Sequence, residues 1–319
     1  MNNFDLMTRT GLQKNAKGGT EQMQERLYGS LERELLERFQ IWFSRFDPNQ
    51  LEQGKKQILY CHDLPGDPMY QETLGVEGRK RFSKICFVSN WQMQLFISHY
   101  QLEWSQCFVL PNAIEPIDGV LLPKMMDNNR IKLIYHTTPH RGLEILAHVF
   151  DEVSKKFPIT LDVFSSFSIY GQPQQDSTYS QLFDYLRQHP LIEYHGGQPN
   201  SVVRNALRSS HIFAYPCIWP ETSCISLMEA MSAGAIAIHP NLAALFETAS
   251  NNTVMYQMQD QPNDHVRIFQ ANLEGAIKNL LEGGNILELA SSSREYANKH
   301  HNWERVSTIW RSFLSSLIT

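Results

Sequence analysis

Two glutamates, Glu221 and Glu229, stand eight positions apart in YPCIWPETSCISLMEAMSAGAIAIHP, residues 215–240. The residues between them suit the opening of a helix. Pro216 and Pro220 end the strand that reaches Tyr215, because proline lacks the backbone donor that a ladder needs. Thr222 or Ser223 then offers a side-chain oxygen to cap a helix starting close to Glu221, and Gly234 tolerates the left-handed conformation that ends it. A helix N-terminus gathers unpaired amides and the positive end of the macrodipole, so the backbone from Ser223 to Ile225 is a natural seat for a phosphate. Glu229 lies about 9 Å further along at 1.5 Å per residue, where a carboxylate could accept both hydroxyls of a ribose. Glu221 could reach a sugar attached beyond the phosphates. The same spacing also fits two surface carboxylates of an ordinary βαβ unit.

Three other places could join this chemistry. After the apolar strand IKLIYH, the turn Thr137-Thr138-Pro139-His140-Arg141-Gly142 leads into a helix. An arginine there can meet a diphosphate bidentately, although a surface loop arginine is equally consistent. Gly18-Gly19 precedes a helical pattern running from about Glu21 to Arg38, and paired glycines let backbone amides approach a phosphate as readily as they make a plain turn. His62 follows the strand-like QILYC, where it could serve a ligand or merely satisfy a loop carbonyl.

These residues need a scaffold that brings strand ends together. FDLM at the N-terminus is a weak candidate for a first strand. FQIWFSRF, QILYCHD, KICFVSN and QCFVLPN are short β-rich runs separated by helix-compatible stretches, MYQETLGVEGRKRF and WQMQLFISHY among them. From IKLIYH onward, strands and helices alternate again, with a final helix from Asn302. Such alternation predicts parallel sheets with crossover helices and ligands at the carboxyl ends of the strands. The 319 residues exceed one usual core and predict two domains. The loop-like stretch from Glu115 to Asn129 is the expected hinge.

With 42% hydrophobic and 19% charged residues, the chain has the composition of a soluble globular protein. A net charge of −5 offers no basic field for nucleic acid. Neither an apolar leader nor a run of about 20 apolar residues is present, so an intracellular, cytoplasmic protein without a transmembrane segment is expected. The five cysteines contain no C-x-x-C pair and read as buried free thiols. H-E-x-x-H, D-x-D, P-loop and G-x-G-x-x-G patterns are absent, giving no support for a dedicated catalytic metal or for a dinucleotide oxidoreductase.

P-E-T-S-C-I-S-L-M-E-A-M-S-A-G resembles the E-x7-E signature of retaining GT-B glycosyltransferases, in particular glycosyltransferase family 4. The resemblance implies two Rossmann-like parallel-sheet domains facing across a cleft. The first would span residues 1–118, with the helix 302–319 packing back on it, and the second, donor-binding domain would span 119–301. Pro111-Asn112-Ala113-Ile114 is similar to the turn that leaves the first domain, with alanine in place of glycine. By the same resemblance Glu221 contacts the donor sugar, Thr222, Ser223, Cys224 and Ile225 hold sugar and diphosphate, and Glu229 binds the ribose. Thr222 and Cys224 stand where the family commonly has glycine. Arg141 supplies the cation for the phosphates, beside His136 and Thr137 in the donor-binding turn. His136 stands where many relatives carry a second cation, which makes the local charge pH-dependent. Gly18 and Gly19 lie where the family places its diphosphate loop, and His62 where it places a histidine near the donor sugar.

The implied activity is metal-independent hexosyl or related transfer, with retention, from a nucleoside diphosphate sugar to a carbohydrate or other hydroxyl-bearing acceptor. No cofactor beyond that donor is implied. The leaving phosphate would help deprotonate the acceptor on the same face. A GT-B-like nucleotide-sugar binding protein without activity is the alternative, and peripheral membrane contact remains open.

Overall fold

The computed structural model describes residues 18–118 and 129–318. The chain divides into two compact units, residues 1–113 with 301–319 and residues 114–300. The candidate strand FDLM and most of the expected hinge lie outside the described residues. The division falls at Ala113/Ile114 rather than after residue 118, and hydrogen bonds explain why. Arg204 Nη2 donates to the carbonyls of Glu115 (2.9 Å) and Pro116 (3.2 Å), while the Ile117 amide donates to Ser232 Oγ at 2.8 Å. These contacts hold the segment that follows Ala113 to the second unit.

The first unit contains a four-stranded parallel sheet in the order β1-β2-β3-β4, formed by Phe39–Phe43, Lys56–Cys61, Phe82–Phe87 and Cys107–Val109. β1 is buried throughout and β2 at every position after Lys56. Strands covered on both faces read as continuous apolar runs. The helical pattern from Glu21 to Arg38 is two helices, α1 (Gly19–Ser30) and α2 (Arg33–Leu36). Gly29 and Ser30 weaken the helix, and Leu31 turns extended (ψ 155°) to bury its side chain. MYQETLGVEGRKRF forms only α3 (Met69–Thr73) and a 3₁₀ turn at Gly78–Arg81. A Cβ at Gly78 would lie 2.0 Å from the Glu72 carbonyl oxygen, so the chain folds back too tightly there for one continuous helix. α4 (Asn90–Tyr100) is capped by Ser89 Oγ, which accepts from the Gln92 amide. The last helix, α12 (Trp303–Ser316), packs within this unit. Its Trp310 meets Tyr60 edge-on (5.0 Å, 81°), and Trp303 Nε1 donates to Ser30 Oγ at 3.1 Å.

Among the described residues, the second unit has six parallel strands in the order β10-β9-β8-β5-β6-β7. They are β5 (Ile131–Tyr135), β6 (Ile159–Val163), β7 (Ile192–Tyr194), β8 (Ile212–Ala214), β9 (Ile236–Pro240) and β10 (Val254–Tyr256). Crossovers α5 (Leu143–Ser154), α6 (Ser180–Gln188), α7 (Asn200–Leu207), α8 (Ile225–Ser232) and α9 (Leu245–Ala249) alternate with them, followed by α10 (Pro262–Leu281) and α11 (Ile286–His300). Sequence analysis missed α11, whose three consecutive serines mask a helical face. It packs on α8, where Ser232 Oγ donates to Asn298 Oδ1 at 2.6 Å. All five cysteines are free, and four are buried.

Candidate functional site

In the second unit the strand order reverses between β5 and β8, and open parallel sheets bind ligands beyond the strand ends at such a point. Both chain segments singled out from the sequence leave the sheet there. β5 runs into His136 to Arg141, and β8 into Tyr215 to Glu221. Gly142 allows the two turns to meet. It sits at φ +106°, and a Cβ on it would lie 2.1 Å from the Pro216 carbonyl oxygen. Gly142→Ala combines left-handed strain with that clash and is expected to cost about 2–4 kcal/mol. Urea denaturation checks this, and a loss below about 0.5 kcal/mol rejects the tight fit.

Arg141 Nη1 and the Tyr215 hydroxyl both donate to Glu221 Oε1, and Arg141 Nη2 donates to the Tyr170 hydroxyl at 3.2 Å. Arg141 Nε is buried without a hydrogen-bond partner. Burial works against the guanidinium charge, but the Glu221 carboxylate and the neighbouring Tyr170 and Tyr215 phenols more than offset it, leaving the pKa above its ordinary value. Arg141 and Glu221, assigned to phosphate and sugar respectively, thus form one buried ion pair. Because both donors hold Oε1, Oε2 is the oxygen left to meet a further hydroxyl.

α8 begins at Ile225, later than expected, and neither Thr222 nor Ser223 caps it. The N-cap is Cys224, with no side-chain cap hydrogen bond; its sulfur, a weak acceptor, faces the Leu227 amide. The C-terminus does follow the sequence reading. Gly234 is left-handed at φ +66°, its amide donates to Met231 O, and the Ala235 amide donates to Ala230 O. Glu229, buried midway along α8, accepts from Asn200 Nδ2 (3.0 and 3.2 Å) and from Arg204 Nη1 (3.2 Å) on α7.

His136 is buried at the end of β5 against the Phe213 ring (4.7 Å), and desolvation pushes its pKa down to about 3. It is therefore neutral near pH 7, which corrects the expectation of a titrating charge at this position. Its carbonyl accepts from Ser226 Oγ on α8 at 3.3 Å. Thr137 is buried beside it and donates to the Thr138 carbonyl. The remaining candidates belong to the first unit. Gly18 caps α1 without a side-chain hydrogen bond, and Gly19 begins that helix. His62 follows β2, enclosed by Phe43 (5.8 Å) and Tyr60 (4.3 Å), and burial pushes its pKa to about 3.

Sequence reasoning missed Tyr215, Tyr170, Asn200 and Arg204. The i, i+4 spacing of Asn200 and Arg204 on one helix face was the available signal for that pair. Tyr170 sits in a loop after β6 that is braced from a distance, with Asp176 accepting from Ser166 Oγ (2.5 Å) and the Phe167 amide (2.8 Å). Elsewhere in this unit, Asp162, Glu193 and His195 place ligand atoms within 4.8 Å of one another. Lys132 Nζ already lies 2.7 Å from Asp162 Oδ2, occupying the charge that a cation would use.

Residues 123–256 match the family described as Glycosyl transferases group 1. A glycosyltransferase from Rickettsia africae superposes with a TM-score of 0.65 at 15% identity, covering 84% of this chain and 72% of that one. The pneumococcal O-GlcNAc transferase GtfA, solved with UDP and GlcNAc, gives 0.64 at 11% identity, covering 87% and 56%. Anabaena Alr3699/HepE, solved with UDP and glucose, gives 0.60 at 15%, covering 82% and 72%. The chain spans little more than half the length of GtfA. No curated protein matches it significantly. At these identities the structural likeness establishes the fold, which is GT-B, and the family match supports sugar transfer.

Proposed function

We propose that this GT-B chain, whose second unit carries the glycosyl transferases group 1 segment, moves a sugar with retention from a nucleoside diphosphate sugar to an acceptor hydroxyl. The observation that carries this reading is the buried Arg141–Glu221 pair at the strand reversal, in the chain segment that leads into the N-terminus of α8. Departure of the diphosphate builds negative charge on its oxygens while the sugar becomes oxocarbenium-like. Arg141 and the amides from Ser223 to Ile225 oppose that charge with fixed donors. Glu221, fixed through Oε1 by Arg141 and Tyr215, turns Oε2 toward a sugar hydroxyl and so orients the ring. The fixed donors let the reaction proceed without metal, so chelation by EDTA leaves the rate unchanged.

The ribose falls to Glu229. Arg204 neutralises its charge, Asn200 donates to both of its oxygens, and the ribose hydroxyls join them as donors. Glu229→Ala is expected to weaken nucleotide-sugar binding by about 1.5–3 kcal/mol, roughly 10- to 150-fold. Calorimetry reads this directly, and unchanged affinity rejects the ribose assignment.

One observation favours a binding protein without activity: His136 is uncharged and Arg141 is already paired, so the site carries little surplus positive charge. Released nucleoside diphosphate decides between the two. An enzyme hydrolyses its donor slowly even without acceptor, whereas a binder releases none, and NMR of the anomeric proton in the product tests retention.

A further inference from the structure

Two residues before Glu221 the chain exposes a large apolar pair, Ile218 at 48% and Trp219 at 40% of their surface. Exposed tryptophan on a loop costs solvation, and this one is held in place. Its loop is bracketed by Pro216 and Pro220, and Cys217 Sγ donates to its carbonyl at 3.2 Å. The indole meets His140 edge-on (4.7 Å, 89°), and His140 in turn stacks on Phe167 (5.3 Å, 14°), which is itself buried. An edge-on contact covers little of the indole, which keeps its exposure to solvent. Desolvation, with the charge of Arg141 beside it, pushes the His140 pKa to about 4, so the stack behind the indole is uncharged near pH 7. The neighbouring residue, Arg141, grips Glu221 and Tyr170. A neutral aromatic surface is therefore carried by the same turn as Arg141, the partner of the carboxylate proposed to orient a sugar.

We infer that Trp219, supported by His140 and Phe167, is a stacking platform for the C–H face of a hexopyranose ring bound at this site. The inference rests on the proposed function and adds a residue that positions the sugar. A planar indole in a preorganised loop meets an apolar ring face with little ordering cost, while Glu221 takes the hydroxyls at the ring's edge. The ring belongs to the donor or to the acceptor, and the two have separable signatures.

The test uses the full chain as wild type, Trp219→Ala and Trp219→Phe. Binding of UDP, GDP and ADP and of their glucose conjugates is measured by calorimetry, together with the KM for para-nitrophenyl hexosides as acceptors. If the platform serves the donor, Trp219→Ala weakens the glucose conjugate at least fivefold while the parent nucleotide is unchanged, and Trp219→Phe restores most of the loss. If it serves the acceptor, donor affinities hold and KM for the hexosides rises at least fivefold, again with rescue by phenylalanine. Values that all stay within twofold of wild type overturn the platform alone. A wild-type protein that binds none of the nucleotides overturns the reading of the whole site. Because Trp219 is exposed, the thermal midpoint should stay put in every variant, which separates a lost stack from a lost fold.

Discussion

Glu221→Ala is expected to destabilise the second unit by about 3–5 kcal/mol and to abolish turnover, because it leaves the Arg141 guanidinium buried without its counter-charge. The Glu221 side chain is 5% exposed and that of Arg141 18%. At such burial the attraction between the two is weakly screened, and removing either one exposes the desolvation penalty of the other. The Tyr215 hydroxyl loses its acceptor as well. Arg141→Ala should cost somewhat less stability, since Tyr215 still donates to the remaining carboxylate.

The double variant discriminates between structural and functional contributions. Removing both charges deletes the penalty that each single change leaves behind, so Arg141→Ala with Glu221→Ala should recover much of the stability. It should recover none of the sugar transfer. Urea midpoints and product formation on the four proteins of this cycle give the coupling energy directly. If the single variants unfold at the wild-type midpoint, the pair is not the buried interaction described. If the double variant regains turnover, neither residue serves the reaction.

How far this was legible in the sequence follows from the range of the interactions. Local rules found the βαβ order, the left-handed Gly234 and the start of the last helix at Asn302, because each depends on residues within a turn or two of one another. The end of β5 and the loop after β8 also stood out separately. That Arg141 would spend its charge on Glu221, 80 positions away, was not readable, since the pairing is set by which strands become neighbours. Gly142 shows the same limit: its role depends on a carbonyl at Pro216 that only the strand reversal brings near. Asn200 and Arg204 were hidden for a related reason. They look like the polar face of an ordinary helix until α7 is laid beside Glu229. The cap of α8 failed differently: two good capping residues were present, yet the helix starts beyond both, leaving amides where a phosphate is proposed to sit.

The buried imidazoles predict a marked loss of stability in mild acid. His62 and His136 have pKa values pushed to about 3 and His239 to about 4, in each case chiefly by desolvation. His239 Nδ1 donates to the Pro240 carbonyl (2.9 Å) and Nε2 pairs with Thr253 Oγ1 (2.8 Å); the carbonyl bond offsets part of the desolvation without reversing it. In the unfolded chain each would titrate near 6.5. Above that pH folded and unfolded states are both neutral and the burial costs nothing extra. Below it the unfolded state takes up a proton that the folded state refuses, so stability falls as pH drops from about 6.5 toward 4. At about 1.36 kcal/mol per proton per pH unit, each histidine removes roughly 2 kcal/mol between pH 7 and pH 5. His136, His239 and His140, whose pKa is also pushed to about 4, lie in the second unit and His62 in the first, so the second unit should weaken about three times as much. Hydrogen exchange of β9 amides against β2 amides at the two pH values reads the difference unit by unit. His136→Gln, which cannot titrate, should return roughly 2 kcal/mol of the acid loss to the second unit and nothing to the first. Equal protection of both strands at pH 5 and pH 7 would show that these rings are wet enough to take up protons in the folded state.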